Sequence, residues 1–378
     1  MKIGMVSKFP EQEDGIAIYS ASLCEELENL GIGVVKIGDM ASNTAEYKID
    51  FNSFFLKPKL KKIIESERLD LLHVQYIAPH FSKPLLNLNL LLALSQKVPV
   101  VVTLHEVHTT ASSLKEKVLM WLQRKITKKA EAVIAHTRHQ KEFLQIRYKK
   151  KNAYHILHGL VLNPVHKLKN KTVLFFGMLN YGKGVEHLIA AMSQLPDFKL
   201  TVAGKAISPE YEKLVRAAAD ENKLGNVKLD IRWIPEDDKK RLMYDADIMV
   251  FPYIWAPYQS GTMHNAFSYG IPVVVTDAGV IGEVVKEYIC GRVVEQRSPK
   301  AIAAGIKAVY GNYETYQHGV LKYREAANWA KAAQKHAEAY NETIQEYYET
   351  HGLLEKEREE KEKMAREMAK EEAENYDA

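Results

Sequence analysis

Short apolar runs and amphipathic stretches alternate along this chain from its first residues. Lys2 to Ser7 is an apolar run, followed by a polar turn and a helical pattern from Ala17 to Leu30. Gly31 stops that helix, and Val34 to Ile37 resumes a strand. Leu71 to Val74, Val98 to Leu104 and Ala132 to His136 continue the alternation, each after a helical segment. These runs are apolar throughout, as in parallel sheets covered by helices on both faces. The first half is therefore predicted to be a doubly wound α/β domain. The rhythm restarts near Thr172, after a Lys/Asn/Pro-rich stretch from Asn163 to Lys171 that reads as a linker. TVLFFG, LTVAG, ADIMVFPY and IPVVVTD supply four further buried strands. Two such units place a cleft between them, with ligands at the carboxyl ends of the strands. Tyr313 to Tyr348 is helical with no strand. The tail beyond Leu353 carries i,i+4 pairs such as Glu357–Lys361, Glu359–Lys363 and Glu362–Arg366, as in a solvated helix.

The expected layout is thus one doubly wound domain over residues 1–163 and a second over 164–312. Helices over 313–352 pack back toward the first domain, and a charged helical tail covers 353–378. A length of 378 residues suits two domains, and 46% hydrophobic with 26% charged residues excludes wholesale disorder. The 2 cysteines, Cys24 in a helix and Cys290 in a loop, exclude a disulfide framework and read as reduced thiols of a cytosolic protein. The opening MKIGMVSKFP lacks the apolar core of a signal peptide. The longest apolar candidate, Leu85 to Leu94, is broken by Asn87 and Asn89, so a soluble or surface-associated protein is expected.

The net charge of +4 hides an uneven distribution. Ten acidic and six basic side chains from Leu353 onward leave −4 on the tail and +8 on the rest. Between Lys115 and Lys151 twelve Lys/Arg face three Glu, an excess that must meet water, a membrane or an anionic ligand. No internal repeat, nucleic-acid motif or zinc motif is present. The first strand leads into SKFPEQEDG and not a G-x-G-x-x-G turn, which argues against a nicotinamide dehydrogenase.

Two segments carry chemistry. In FFGMLNYGKGVE (Phe175 to Glu186) a strand ends at Gly177 and Lys183-Gly184 opens a helix, which suits a diphosphate. Alone it could be a solvated lysine beside a turn glycine. In YQSGTMHNAFSYG (Tyr258 to Gly270), Ser260-Gly261-Thr262 caps a second helix start and lets a ligand approach the backbone. Alone this could be an ordinary N-cap.

In this order and spacing the two segments resemble the C-terminal domain of family 4 glycosyltransferases of the GT-B fold. VVTLHE, AVIAHT and HILHGL in the first half, with LTVAG, ADIMVFPY and GIPVVVTDAG in the second, extend the resemblance to about Gly352. It implies two Rossmann-like domains facing across a cleft, with a helical C-terminal extension. The implied activity is retaining transfer from a nucleotide-diphosphate sugar, without metal or other cofactor, to a sugar or lipid-linked acceptor. Lys183 matches the lysine that neutralises the donor diphosphate, and His105 the active-site histidine near the transferred sugar. The implied donor set is Gly15, Gly177, Lys183, Gly184, Ile234, Gln259, Ser260, Gly261, Thr262 and Asn265. Gly15 follows Asp14, where the family's first loop is richer in glycine.

The chain departs from the family in two places. Aligning NAFSYG with the usual Glu-Ala-Met-Ala-Cys-Gly puts Asn265 and Pro257 where the family has a Glu-x7-Glu pair. Asn265 can still hydrogen-bond ribose hydroxyls, whereas Pro257 leaves the sugar to Gln259 or Ser260. Met178 stands where a basic residue normally follows the strand glycine, so half of the diphosphate clamp is missing. A nucleotide-sugar epimerase of the same architecture would need carboxylates that this segment lacks. A non-catalytic nucleotide-sugar-binding partner of another transferase would not need Lys183.

The basic stretch suggests a further expectation. In LKEKVLMWLQRKITKKA, Leu114, Val118, Trp121, Leu122 and Ile126 fall near one helical face, with Lys117, Arg124, Lys125 and Lys128 around it. Such a helix can sit on the inner, anionic face of a membrane. An apolar face is also what a helix covering a sheet needs.

Overall fold

The computed structural model describes residues 1–9, 15–81, 88–111, 113–165, 170–221, 225–256 and 260–352. Seven strands form a first, all-parallel sheet: β1 (Lys2–Val6), β2 (Gly33–Gly38), β3 (Tyr47–Lys48), β4 (Leu71–Tyr76), β5 (Val100–Leu104), β6 (Ala132–Ala135) and β7 (Ala153–His155). Their order is β3-β2-β1-β4-β5-β6-β7. Six more form a second parallel sheet: β8 (Thr172–Phe176), β9 (Lys199–Ala203), β10 (Val227–Asp230), β11 (Ile248–Phe251), β12 (Val273–Thr276) and β13 (Gly291–Val294), in the order β10-β9-β8-β11-β12-β13. Both orders reverse beside the first strand of their sheet, between β1 and β4 and between β8 and β11. Chain crossovers leave in opposite directions there, so the strand ends open a crevice. The loops after β8 and β11 flank that crevice, and they hold Lys183 and Ser260.

The central strands are long apolar runs because both faces are covered. On the first sheet one face packs Val35, Leu72, Val102, Val133 and Ile126, and the other Ile3, Met5, Leu71, Val101 and Ile134. The second sheet has its own core, in which Val173, Phe175, Val202, Val250 and Val274 are buried. β5 begins at Val100 and not Val98, since Pro99 has no N–H to donate to a ladder, although its carbonyl accepts from Leu72. Cys24 and Cys290 are buried free thiols in different cores.

The expected helical stretch after Tyr313 is two helices, Tyr313–Ala326 and Trp329–Thr350. The break falls at Ala327-Asn328. The Ala327 carbonyl accepts from the Leu160 N–H at 2.7 Å, and the Asn328 side chain caps the second helix by accepting from Lys331 N–H at 2.8 Å. That helix leaves the second sheet and returns to the first, burying Trp329, Ala332, Ala333 and Tyr340 with Tyr19, Leu23 and Leu27. Gly159 makes the crossing possible: a Cβ there would lie 2.1 Å from the Trp329 ring. Nearby, the Arg324 guanidinium donates to the carbonyls of Ser268 and Asn163, each at 2.7 Å, tying the inter-sheet segment to the second unit.

Candidate active site at the switch point of the second sheet

The loop after β8 is shaped by glycines that cannot be replaced. Gly177 has φ +136°, and Gly204 at the end of β9 lies so close that a Cβ would sit 1.9 Å from the Gly177 carbonyl oxygen. Asn180 then caps a 3-10 turn, Tyr181–Lys183, by accepting from Gly182 N–H at 3.0 Å. Gly184, at φ +59°, ends this turn and begins the helix Val185–Ala191; a Cβ there would come within 2.3 Å of the Pro252 carbonyl oxygen. Lys183 is therefore presented from a turn one residue outside the helix. The helix's first turn already carries Glu186, whose carboxylate accepts from the Tyr211 hydroxyl at 2.9 Å. Its positive end is thus partly complemented, and the local cation is Lys183 itself.

The Lys183 Nζ lies 3.6 Å from the centroid of the Tyr253 ring, and among the described residues it has no carboxylate partner. Tyr253 lies two residues past the end of β11 and is 2% exposed. Its hydroxyl is 3.0 Å from Ser260 Oγ and 3.1 Å from Thr262 Oγ1, and those two oxygens are 2.8 Å apart. Ser260 caps the helix Gly261–Ser268, accepting from Met263 N–H at 3.4 Å. No acidic residue sits in that helix's first turn, so its positive end is uncomplemented. Gly177 faces the same spot, with Thr262 Cγ2 3.3 Å from where its Cβ would be. One lysine, three hydroxyls, a bare helix start and a glycine thus converge, an arrangement able to hold a polyanion.

The other expected residues fall around or away from this point. Gly261 is the first residue of its helix, with open space at its Cβ position, and Asn265 is half-buried one turn on. Ile234 buries its side chain in the second core beside the exposed Trp233, in the loop after β10. Gln259 and Pro257 lie outside the described residues. Gly15 differs from expectation: it starts the helix Gly15–Asn29 instead of lying in a loop, and no atom approaches its Cβ position within 4 Å. Glu13 and Asp14 lie outside the described residues, as does the whole tail from 353.

His105 belongs to a separate network on the first sheet. Its Nε2 donates to Gln75 Oε1 at 2.8 Å, and its ring meets Tyr19 at 4.8 Å and His136 at 5.2 Å. Burial, with the neighbouring histidines adding to it, holds its pKa well below the usual value, so the ring is neutral at neutral pH. From His105 the contacts run through His136 to His158 at 5.8 Å and on to His264 at 4.4 Å. His264 Nδ1 donates to the Ser260 carbonyl at 2.9 Å, which brings this chain of rings to the edge of the Lys183 cluster. Tyr253 and the histidines linked to His105, namely His136, His158 and His264, are absent from the residues picked by sequence. The available signal for Tyr253 was a polar aromatic ending the apolar run ADIMVFPY beside a glycine loop.

The basic helix Leu114–Lys129 corrects its expectation. Leu122 and Ile126 are fully buried against the first sheet, whereas Leu114 (78% exposed) and Trp121 (50%) face outward with Lys117, Arg124, Lys125 and Lys128. At 100° per residue, positions 114 to 126 are too widely spread to share one narrow stripe. The apolar set divides between a core face and an outer face, and on the latter Lys125 Nζ lies 5.7 Å from the Trp121 ring centroid. Among the described residues no helix is long and apolar enough to cross a membrane, and no group of three or more His, Cys, Asp or Glu is arranged to hold a metal ion.

Two doubly wound parallel sheets, with a cluster able to hold a polyanion at the switch point of the second, make up the GT-B architecture of glycosyltransferases. Residues 14–161 match the profile of Glycosyltransferase Family 4, and residues 163–336 that of Glycosyl transferases group 1. The chain belongs to the family 4 glycosyltransferases. It is 31% identical over 147 residues to an uncharacterized glycosyltransferase of Methanocaldococcus jannaschii, a match covering 38% of this chain and 36% of that relative's length. Its fold matches a glycosyltransferase structure from Rickettsia africae with a TM-score of 0.68 at 19% identity, covering 91% of this chain and 98% of the other. Anabaena HepE, solved in complex with UDP and glucose, matches with a TM-score of 0.67 at 18% identity over 90% of this chain and 100% of its own.

Proposed function

We propose that this protein transfers a sugar from a nucleoside-diphosphate sugar to an acceptor hydroxyl with retention of configuration. The observation that carries the reading is Lys183, a cation set on an aromatic face with no carboxylate neutralising it among the described residues. The donor diphosphate sits between Lys183 and the Ser260–Thr262 hydroxyls, and Asn265 reaches the ribose. As the glycosidic bond breaks, charge grows on the leaving diphosphate, and a preorganised ammonium stabilises it without a metal. The acceptor, a glycan, lipid-linked or small molecule, lies on the first-sheet side. It attacks from the face the diphosphate leaves, and a phosphate oxygen takes its proton. The neutral His105 holds the sugar from that side. The UDP and glucose bound in HepE support a donor of this class. Epimerase chemistry is disfavoured by Asn265 and Pro257 in place of carboxylates, and a purely non-catalytic partner by Lys183.

Thermal stabilisation by a panel of UDP-, GDP- and ADP-sugars in chelator tests this. A donor at a hundred times its dissociation constant stabilises by about 2.7 kcal/mol, a shift of a few degrees. Proton NMR of the product made from the stabilising donor should then give the donor's own anomer. No shift with any member, or an inverted product, contradicts the proposal. The outer face of Leu114–Lys129 supports a second element, reversible docking of a cytosolic protein on the inner, anionic face of a membrane. Vesicles containing phosphatidylglycerol should sediment the protein and phosphatidylcholine vesicles should not, with Trp121→Ala reducing the bound fraction. Equal binding to both vesicle types counts against it.

A further inference from the structure

We propose that Tyr253 is a positioning residue of the donor site, whose ring carries the Lys183 ammonium and whose hydroxyl joins Ser260 to Thr262. This rests on the transferase reading above and adds a residue to it. A lysine near a diphosphate site can be held by a carboxylate, but that partner cancels the charge the leaving group needs. An aromatic face attracts the ammonium electrostatically and leaves its full charge available. With Nζ 3.6 Å from the ring centroid, Lys183 is in direct contact with such a face, and the buried ring excludes water from beneath it.

The hydroxyl has an equally definite place. Tyr253, Ser260 and Thr262 form a closed triangle with sides of 3.0, 3.1 and 2.8 Å. Three O–H protons can satisfy three contacts in a ring, so the triangle leaves none of its hydroxyls unpaired. When an anionic oxygen enters, Ser260 and Thr262 can turn their protons outward to it, while Tyr253 goes on donating within the triangle. The tyrosine is itself fixed from behind. Thr276 Oγ1 donates to its carbonyl, and its ring meets Phe251 edge-on at 5.7 Å. Cation and hydroxyls therefore reach the diphosphate as one unit.

The test is calorimetric binding of UDP, GDP and ADP, each beside its parent nucleoside, to the full chain in chelator. Position 253 is varied from tyrosine to phenylalanine and then to mono-, di- and trifluorophenylalanine, which withdraw ring charge at nearly constant shape. Tyr253→Phe should weaken the diphosphate about threefold to tenfold through the lost hydroxyl. Each added fluorine should weaken it further, by about tenfold across the series. Nucleoside affinity should stay constant throughout, and in a Lys183→Ala background the fluorine dependence should vanish. A flat fluorine series, nucleoside binding that falls in parallel with the diphosphate, or a slope that survives Lys183→Ala overturns the role given to Tyr253 while leaving the donor site standing. Failure of the unmodified protein to bind any diphosphate overturns the transferase reading, and this inference with it.

Discussion

Mild acid should dissolve the junction between the two sheets. Four histidines there are buried: His73, His136, His264 and His336. His73 lies between Thr103 Oγ1 at 2.8 Å and the Tyr340 hydroxyl at 2.7 Å, and His336 donates from Nδ1 to the Ala332 carbonyl at 2.7 Å. His136 donates to the Ile156 carbonyl at 2.9 Å, and its other nitrogen has no hydrogen-bond partner among the described residues. Burial lowers His136, His264 and His336 to about 4 and His73 well below its usual value, against about 6.5 in the unfolded chain. Between these values the unfolded chain binds the proton and the folded one does not. Stability is therefore present above pH 6.5 and is lost as pH falls toward 4. Each such histidine contributes about 1 kcal/mol over the first pH unit below 6.5, so four contribute about 4. A typical domain has roughly 5–15 kcal/mol in total, so one pH unit below 6.5 removes a large share of it. Urea unfolding followed by far-UV circular dichroism at half-unit steps from pH 8 to 5 measures this. The midpoint should be level above pH 7 and fall steeply below 6.5. A midpoint unchanged down to pH 5 would refute the assignment of these rings as neutral and buried.

Other substitutions separate the parts of the structure. Gly184→Ala forces a side chain into φ +59° and against the Pro252 carbonyl, and should cost about 2 kcal/mol with loss of donor-induced stabilisation; an unchanged melting temperature counts against this geometry. Leu122→Ala should destabilise by about 3 kcal/mol as a core truncation. Leu114→Ala, on the outer face of the same helix, should stay within about 0.5 kcal/mol in the same denaturation assay. Arg324→Met leaves the Ser268 and Asn163 carbonyls without their donor, and should lower stability by about 2 kcal/mol in thermal unfolding.

The central strands of both sheets could be read from sequence because burial on both faces makes them continuous apolar runs, as in Val100–Leu104 and Val273–Thr276. The edge strands could not. Tyr47–Lys48 is two residues long, and Val227–Asp230 alternates charge with apolar groups because one side of the strand meets solvent. The two helix starts that hold Lys183 and Ser260 were visible as glycine-flanked breaks. Tyr253 was not, because its role depends on β8 and β11 lying side by side, an adjacency that no local pattern encodes. His105 was named from its motif, but its ring neighbours His136, His158 and His264 escaped for the same reason: they stand on separate elements that meet only in the fold. On helix Leu114–Lys129 the period was legible, but which apolar residues face the core was settled by the neighbouring sheet.

The proposed donor site is tested most directly by titrating UDP, GDP and ADP into the protein and its Lys183→Ala variant, in chelator, with the matching nucleosides as controls. One diphosphate should bind the unmodified protein, and the variant should bind it at least about tenfold more weakly, as expected for a lost charge-assisted contact. The nucleoside should bind both equally. Equal binding of the diphosphate to protein and variant, or no binding of any diphosphate to the unmodified protein, would contradict a donor site built on Lys183.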